Sequence, residues 1–334
     1  MKKKIIAVSV ALLLIGASVG AIAILRKEPP QPQPERQEKL TVADGNEITD
    51  APFDSECYLT VKRGEAVETM DMESYLIGVV AAEMPASFEF EALCAQSVAA
   101  RTYTIYKMRT GCANHPEADA CDDITCCKAY SDIDTLKEVW GGNFDEYYAR
   151  IKSAVNLTDG VVVTYASMPI LAAFHSSSGG RTADSGEVWG KSLPYLTSVE
   201  SPETEEDVPN YISEKTVSFD DFRRIVAEKY PAAQLDGGSW IEITSVSASG
   251  RVESVDIGGV SVSGSCVRNM FDLRSTMFTA AVGGDGIVFT TAGFGHGVGL
   301  SQYGANVMAK NGARYDEILA EYYTGTTLTK IIMD

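Results

Sequence analysis

Residues 75–103 read YLIGVVAAEMPASFEFEALCAQSVAARTY, two helical patterns joined through a proline, and the rest of the chain is best read outward from them. Pro85 ends a helix over Tyr75–Ala82, because its ring clashes with the preceding turn and it has no N–H to donate. Ser87 is placed to cap the next helix, with Glu89 and Glu91 favourable in its positive first turn. A strict capping box fails there, since Phe90 occupies the position of the glutamate. Downstream, Leu93, Cys94, Ser97, Val98 and Arg101 follow Phe90 at spacings of 3, 4, 7, 8 and 11, one helical face. Arg101 therefore projects from the core-facing stripe. A buried guanidinium demands a carboxylate or several other acceptors, so Arg101 serves either a structural ion pair or a site carboxylate or substrate oxygen.

Glu83 lies between Val79, Val80, Ala81 and Ala82 on one side and Met84 and Pro85 on the other. Apolar surroundings penalise the charged carboxylate and raise its pKa, which suits a general acid working near neutral pH. The competing reading is a helix-end glutamate facing solvent, and structural ion pairs also perturb carboxylates.

Beyond this segment the chain mixes α and β patterns. Asp132–Val155 has helical spacing broken at Gly141-Gly142, and Gly160–Tyr165 and Ile170–Phe174 read as short buried strands. Ser218-Phe219-Asp220-Asp221 is a capping box opening a helix to about Tyr230. Ile241–Ser249 and Val252–Ile257 alternate around Gly250 as a hairpin, and Gly258-Gly259 turns the chain into Val260–Val262. Strands followed directly by strands argue against a doubly wound parallel sheet.

In Gly293-Phe-Gly-His-Gly-Val-Gly the glycines fall at every second position. An extended chain there presents a face without side chains, open to a sugar or another backbone, with His296 and Val298 pointing the other way. A strained structural turn is the alternative. The spacing fits neither a Walker loop nor the dinucleotide fingerprint. Ser301 caps a helix to Lys310, and Gln302 and Tyr303 can hydrogen-bond and stack on sugars. His175 and Ser176 sit at a strand-to-loop edge, a usual place for functional side chains. A Gly-x-Ser-x-Gly elbow is missing, so a serine hydrolase gets little support.

Residues 5–25 are 21 uncharged, mostly apolar residues, enough to span a bilayer, with Lys2, Lys3 and Lys4 before them and Arg26 and Lys27 after. The basic residues and terminal amine put residues 1–4 in the cytoplasm. Ala21-Ile22-Ala23 is a passable signal-peptidase pattern, but the length favours an uncleaved anchor. Residues 26–54 form a proline-rich spacer, leaving 55–334 as an extracytoplasmic domain of one or two lobes with a cysteine loop at 110–130. The expected fold is α+β: a helical lobe carrying Glu83 packed against mainly antiparallel β structure, after an N-terminal membrane helix. Of 28 basic and 46 acidic residues, 21 and 43 lie beyond residue 39, a net charge of −22. Nucleic acid and anionic headgroups are repelled by such a domain, whereas a neutral glycan is not.

Cys112, Cys121, Cys126 and Cys127 crowd one loop with His115, an enriched ligand set for zinc, although no Cys-x-x-Cys pair is present. Outside the cytoplasm disulfides compete with a metal.

The Ala-Ala-Glu-Met-Pro-Ala-Ser-Phe core and Gln-Ser-Val-Ala-Ala-Arg-Thr-Tyr tail of residues 75–103, with Phe174-His-Ser-Ser-Ser-Gly-Gly-Arg-Thr and Gly293-Phe-Gly-His-Gly-Val-Gly-Leu-Ser-Gln-Tyr-Gly-Ala, resemble the sporulation stage II protein D (SpoIID) family. The resemblance runs from about residue 55 to the C-terminus. It implies a peptidoglycan lytic transglycosylase of forespore engulfment, with Glu83 at the family's catalytic position and an anchor in the mother-cell membrane. It also implies a structural zinc on His115, Cys121 and Cys127, with Cys112 and Cys126 as unassigned extras. Glycan strands free of stem peptides are the implied substrate and a SpoIIP-like amidase/endopeptidase the implied partner. Arg101, His175, Ser176, His296, Ser301, Gln302 and Tyr303 are the candidate substrate contacts. Two alternatives stand beside this reading: a non-catalytic glycan-binding enhancer of a cell-wall amidase, and a zinc loop that is itself the catalytic centre.

Overall fold

The structure, a computed structural model, describes residues 40–42, 52–123, 126–235 and 240–333. Helix α1 (Met72–Glu83) starts where Asp71 accepts a hydrogen bond from the Ser74 N–H. It runs through Glu83 and stops at Met84, whose extended backbone leads into Pro85. Helix α2 (Phe90–Thr110) is capped at Glu89 without a side-chain hydrogen bond, so Ser87 does not take the expected role. Instead the Glu89 N–H is met by Asn306 Oδ1 at 2.8 Å.

Helix α2 is the axis of the larger core. From Ala92 to Ala100 every residue is buried, so it is covered all round rather than on one stripe. Its Ala, Ser and Cys side chains let neighbours approach closely: α1, helix α4 (Phe144–Leu157), the strand Val161–Tyr165 and the C-terminal helices Gln302–Lys310 and Tyr315–Tyr322. Leu76, Leu93, Val98, Tyr322 and Tyr323 are shut from solvent in this cluster. Truncating one such leucine to alanine costs about 2–5 kcal/mol. Ahead of α4, helix α3 (Ile133–Trp140) and a short turn at Gly141–Asn143 match the break expected at the glycine pair. Gly78 is where the 130–131 segment crosses α1; a β-carbon there would collide with the Tyr130 ring and lie 2.8 Å from the Ser131 carbonyl.

A second buried cluster is built from Phe222, Phe271, Phe278 and Phe289, with Phe222 and Phe271 stacked at 5.0 Å. Around it lie two three-stranded antiparallel sheets, Ile212–Ser218 with Gly286–Ala292 and Phe278–Val282, and Glu242–Val246 with Val252–Ile257 and Val260–Ser263. Ser218 caps the helix Phe219–Lys229 as its sequence predicts.

The expected fold class needs correction. The architecture is α+β with mixed sheets: Tyr58–Arg63 pairs antiparallel with Ala66–Asp71 but parallel with Ala120–Cys121, and Phe174–His175 pairs parallel with Leu300–Ser301. Among the described residues no helix is long and apolar enough to cross a membrane. This finding goes against the expected membrane helix and the single-pass localisation drawn from it. The segment 5–25 that carried both lies outside the described residues.

Candidate active site

Glu83 ends α1 partly exposed, and its Oε1 accepts the Ala129 N–H at 3.3 Å. The apolar residues around it in sequence do not surround its carboxyl. Val79 and Val80 turn into the core with no exposed surface, while the carboxyl meets the chain that returns from the cysteine loop. Lys128, next along that chain, lies with its Nζ 3.6 Å from the centre of the Phe174 ring and 4.5 Å from that of Tyr103. Burial lowers its pKa to about 8, against the Glu83 charge, which favours the ammonium. The Tyr103 hydroxyl donates to the Cys126 carbonyl at 3.2 Å, so α2 fixes the same segment from the other side.

Phe174 introduces the second wall. His175, 4% exposed, donates from Nδ1 to the Val298 carbonyl at 3.3 Å, which leaves Nε2 as the acceptor nitrogen, without a partner among the described residues. His296 has the opposite arrangement: its Nδ1 accepts the Val298 N–H at 3.0 Å. The two rings are 5.6 Å apart, and Trp189, 42% exposed, lies 5.7 Å from His296. Burial, then neighbouring cations, hold both imidazoles neutral; His296 falls to about 3, with Lys128 the first of the charges acting on it.

The glycine-rich segment is not an extended strand. Gly293, Gly295, Gly297 and Gly299 all have positive φ, between 72° and 113°, where β-carbons are strained. Their bare faces turn toward the protein rather than a sugar: a β-carbon at Gly295 would lie 2.8 Å from that of His175, and one at Gly297 would strike the Arg251 guanidinium.

The family model described as stage II sporulation protein (SpoIID) matches residues 61–165, which take in Glu83 and the whole cysteine loop. Stage II sporulation protein D of Bacillus subtilis (strain 168) is 39% identical over 268 residues, covering 80% of this chain and 76% of that protein. This chain belongs to the stage II sporulation protein D family. The protein of the same name in Bacillus amyloliquefaciens is 35% identical over 285 residues, covering 85% and 80%. A B. subtilis protein named amidase enhancer is 31% identical over 303 residues, covering 76% of this chain and 40% of its own length.

Other predicted contacts of this SpoIID-family chain fall elsewhere. Arg101 is wholly buried and paired with Asp54, Nε to Oδ1 at 2.8 Å and Nη2 to Oδ2 at 2.5 Å, and it also donates to the Val155 and Val161 carbonyls. That is the structural ion pair, not a substrate contact. Ser301 caps its helix and donates to Glu203 Oε1 at 2.6 Å. The Ser176 carbonyl accepts the Tyr303 N–H at 3.0 Å, and the Tyr303 ring packs edge-on against Phe88 at 4.9 Å. Gln302 is buried, and its Nε2 has no partner among the described residues. Lys128, Tyr103, Trp189 and Glu203 escaped the sequence reading: none belongs to a spaced pattern, and Glu203 sits in an acidic run that reads as surface.

The cysteine loop gathers Cys112, Cys121, Cys126 and Cys127, whose sulfurs lie within 4.8 Å of one another. Individual separations are 3.3 Å for Cys112–Cys126, 3.6 Å for Cys112–Cys121 and Cys112–Cys127, and 3.9 Å for Cys126–Cys127. Four sulfurs on a tetrahedral zinc at about 2.3 Å would be about 3.8 Å apart, so these residues fit the metal. His115 is outside the group, its Nδ1 3.6 Å from Glu117 Oε1. The four thiols are thus the group the structure brings together, with Cys121 and Cys127 of the implied ligand set in it and His115 beside it. The loop is pinned by Asp119, whose Oδ2 accepts from the Thr60 N–H at 2.8 Å and hydroxyl at 2.7 Å.

Proposed function

We propose that this chain is a lytic transglycosylase that cuts peptidoglycan strands between N-acetylmuramic acid and N-acetylglucosamine, in forespore engulfment. The observation that carries the reading is Glu83, a partly open carboxylate held by one backbone donor and within the field of an ammonium that lies over the Phe174 ring. Most glycosidases need two carboxylates, an acid and a nucleophile or base. A single one suffices when the muramic acid's own C6 hydroxyl is the nucleophile. Glu83 gives its proton to the glycosidic oxygen as the bond to C1 breaks, then takes the proton of the C6 hydroxyl as O6 closes on C1. Carboxyl and protons return to their starting state, no water is consumed, and the product ends in 1,6-anhydro-muramic acid. The charge on Glu83 between the two transfers faces the Ala129 N–H and the field of Lys128. His175 and His296, held neutral by burial, offer no competing acid.

Zinc, held by the four cysteines, would act as a structural cross-link. Its ligands are all protein sulfurs, which favours that role over a catalytic centre with an open position. Cys126 and Cys127 lead directly into Lys128 and Ala129, so the cluster sets the position of both groups facing Glu83. A cell-wall amidase of the SpoIIP kind is the partner this reading calls for, because it produces strands free of stem peptides.

The similarity to a protein named amidase enhancer favours a second reading, a glycan-binding subunit without catalysis of its own. Mass analysis of muropeptides released from amidase-treated peptidoglycan separates the two. Anhydro ends are expected; ordinary reducing ends would mean a hydrolase with a second carboxylate, and no new ends would mean the enhancer.

A further inference from the structure

Lys128 is an unusual lysine. Its ammonium lies over the faces of Phe174 and Tyr103, at 3.6 and 4.5 Å from the ring centres. Among the described residues no carboxylate comes within 4.0 Å of it and no acceptor bonds to it. Aromatic faces attract a cation but accept no directional hydrogen bond of ordinary strength, so its three donors remain unmatched. The side chain is only partly buried, which leaves a path for a ligand. Glu83 acts on it through space, but the nearer claim on that carboxyl is the Ala129 N–H. Further positive charge comes from Arg251 and Arg268, whose fields reach His296. In a chain of net charge −18 an ammonium without an acceptor among the described residues is a place to which an anion is drawn.

We infer that Lys128 reads a free carboxylate on the glycan, and that it is the residue by which this cleft prefers strands whose stem peptides have been removed. The inference rests on the reading of Glu83 as the glycan-cutting group. Lys128 is one residue from the amide that holds Glu83, so an anion it binds belongs to the sugar being cut or its neighbour. Among the sugars of the strand, muramic acid alone carries a carboxyl, on its lactyl ether. With a stem peptide attached that group is a neutral amide, and only an amidase-type reaction frees it as a carboxylate. An ammonium whose donors are otherwise unmatched distinguishes these two states by charge. Beside its field at Glu83, it acts on specificity.

The test is a binding titration with the full chain carrying Glu83→Gln, so that nothing is cut. Three ligands are compared: peptide-free strands, strands retaining stem peptides, and chitin oligomers, which lack the lactyl group. The parent should bind peptide-free strands about tenfold tighter than the other two, the scale of one charge-assisted hydrogen bond. Lys128→Met, which keeps an unbranched stem between the rings, should bring all three within about twofold while chitin affinity stays unchanged. Lys128→Arg should restore part of the preference. As a check that needs no variant at this position, amidating the lactyl carboxylates of peptide-free strands should lower their affinity to that of peptide-bearing ones. A preference that survives Lys128→Met, or ligand amidation without effect, would overturn the inference. Turnover of wild-type protein is measured separately: a preference that collapses as expected in a protein that cuts no strand removes the enzymatic reading and keeps the subsite. Normal cutting with an unmoved preference does the reverse.

Discussion

Glu83 and Glu203 are both carboxylates, and their surroundings are opposites. Glu203, 2% exposed, accepts the Ser178 N–H at 2.7 Å and hydroxyls of Ser178, Ser201 and Ser301. An ionised carboxylate has about four acceptor sites, so Glu203 is saturated. Glu83 accepts one backbone N–H and stands partly open. The cations repeat the contrast. Arg101 uses all three guanidinium nitrogens on Asp54, Thr158 and two carbonyls, whereas Lys128 rests on two rings with no acceptor among the described residues. Glu203 and Arg101, both saturated, hold the fold, while Glu83 and Lys128 stand together where α1 ends.

The largest effect that can break this contrast is on the saturated side. Arg101→Ala leaves Asp54 buried without its cation and should destabilise the protein by roughly 3–5 kcal/mol in denaturant unfolding, with activity per folded molecule kept. Unchanged unfolding with lost activity would move Arg101 to the functional group.

Removing the metal tests whether the cysteine cluster sets the open pair. Chelation, Cys112→Ser or Cys126→Ser should lower the melting temperature by at least about 5 °C and remove most activity, because Lys128 and Ala129 follow the cluster directly. His115→Ala should leave both measurements where they were. Loss of bound zinc by His115→Ala alone would restore the three-ligand set. Destabilisation by reductants but not chelators would replace the metal by disulfides.

A smaller effect sharpens the carboxylate comparison. Glu203→Ala strands the Ser178 N–H and three hydroxyls and should cost about 1–3 kcal/mol for the amide alone. Glu203→Gln keeps an acceptor for Ser178 and Ser301 and should recover most of that loss. Equal losses in the two variants would show that the charge itself, rather than its acceptors, holds the loop.

How far these roles were legible in the sequence follows from how local their causes are. The proline break after α1, the Ser218 and Ser301 caps and the hairpin at Gly250 depend on adjacent residues, and each was readable. The Ser87 cap failed because Asn306, 217 residues from Glu89, supplies the acceptor instead. The alternating glycines read as an extended strand because nothing local reveals that Arg251 and the 173–179 segment press on them. The family resemblance implied His115 and left Cys112 unassigned, while the fold places Cys112, just past the end of α2, against the other three thiols. Glu83 and Arg101 were found by their patterns, but only tertiary structure separates an open charge from a closed one. Lys128 shows its character only when Tyr103 and Phe174, from distant segments, come beneath it.

The most direct test of the central claim, that Glu83 is the single acid and base of the site, is turnover of Glu83→Gln on peptide-free strands, measured with its melting temperature and glycan affinity. The variant should melt and bind as wild type does, yet lose at least about 10²-fold in rate, the scale of general acid–base catalysis. Turnover near the wild-type value in a folded, glycan-binding Glu83→Gln protein would contradict the account.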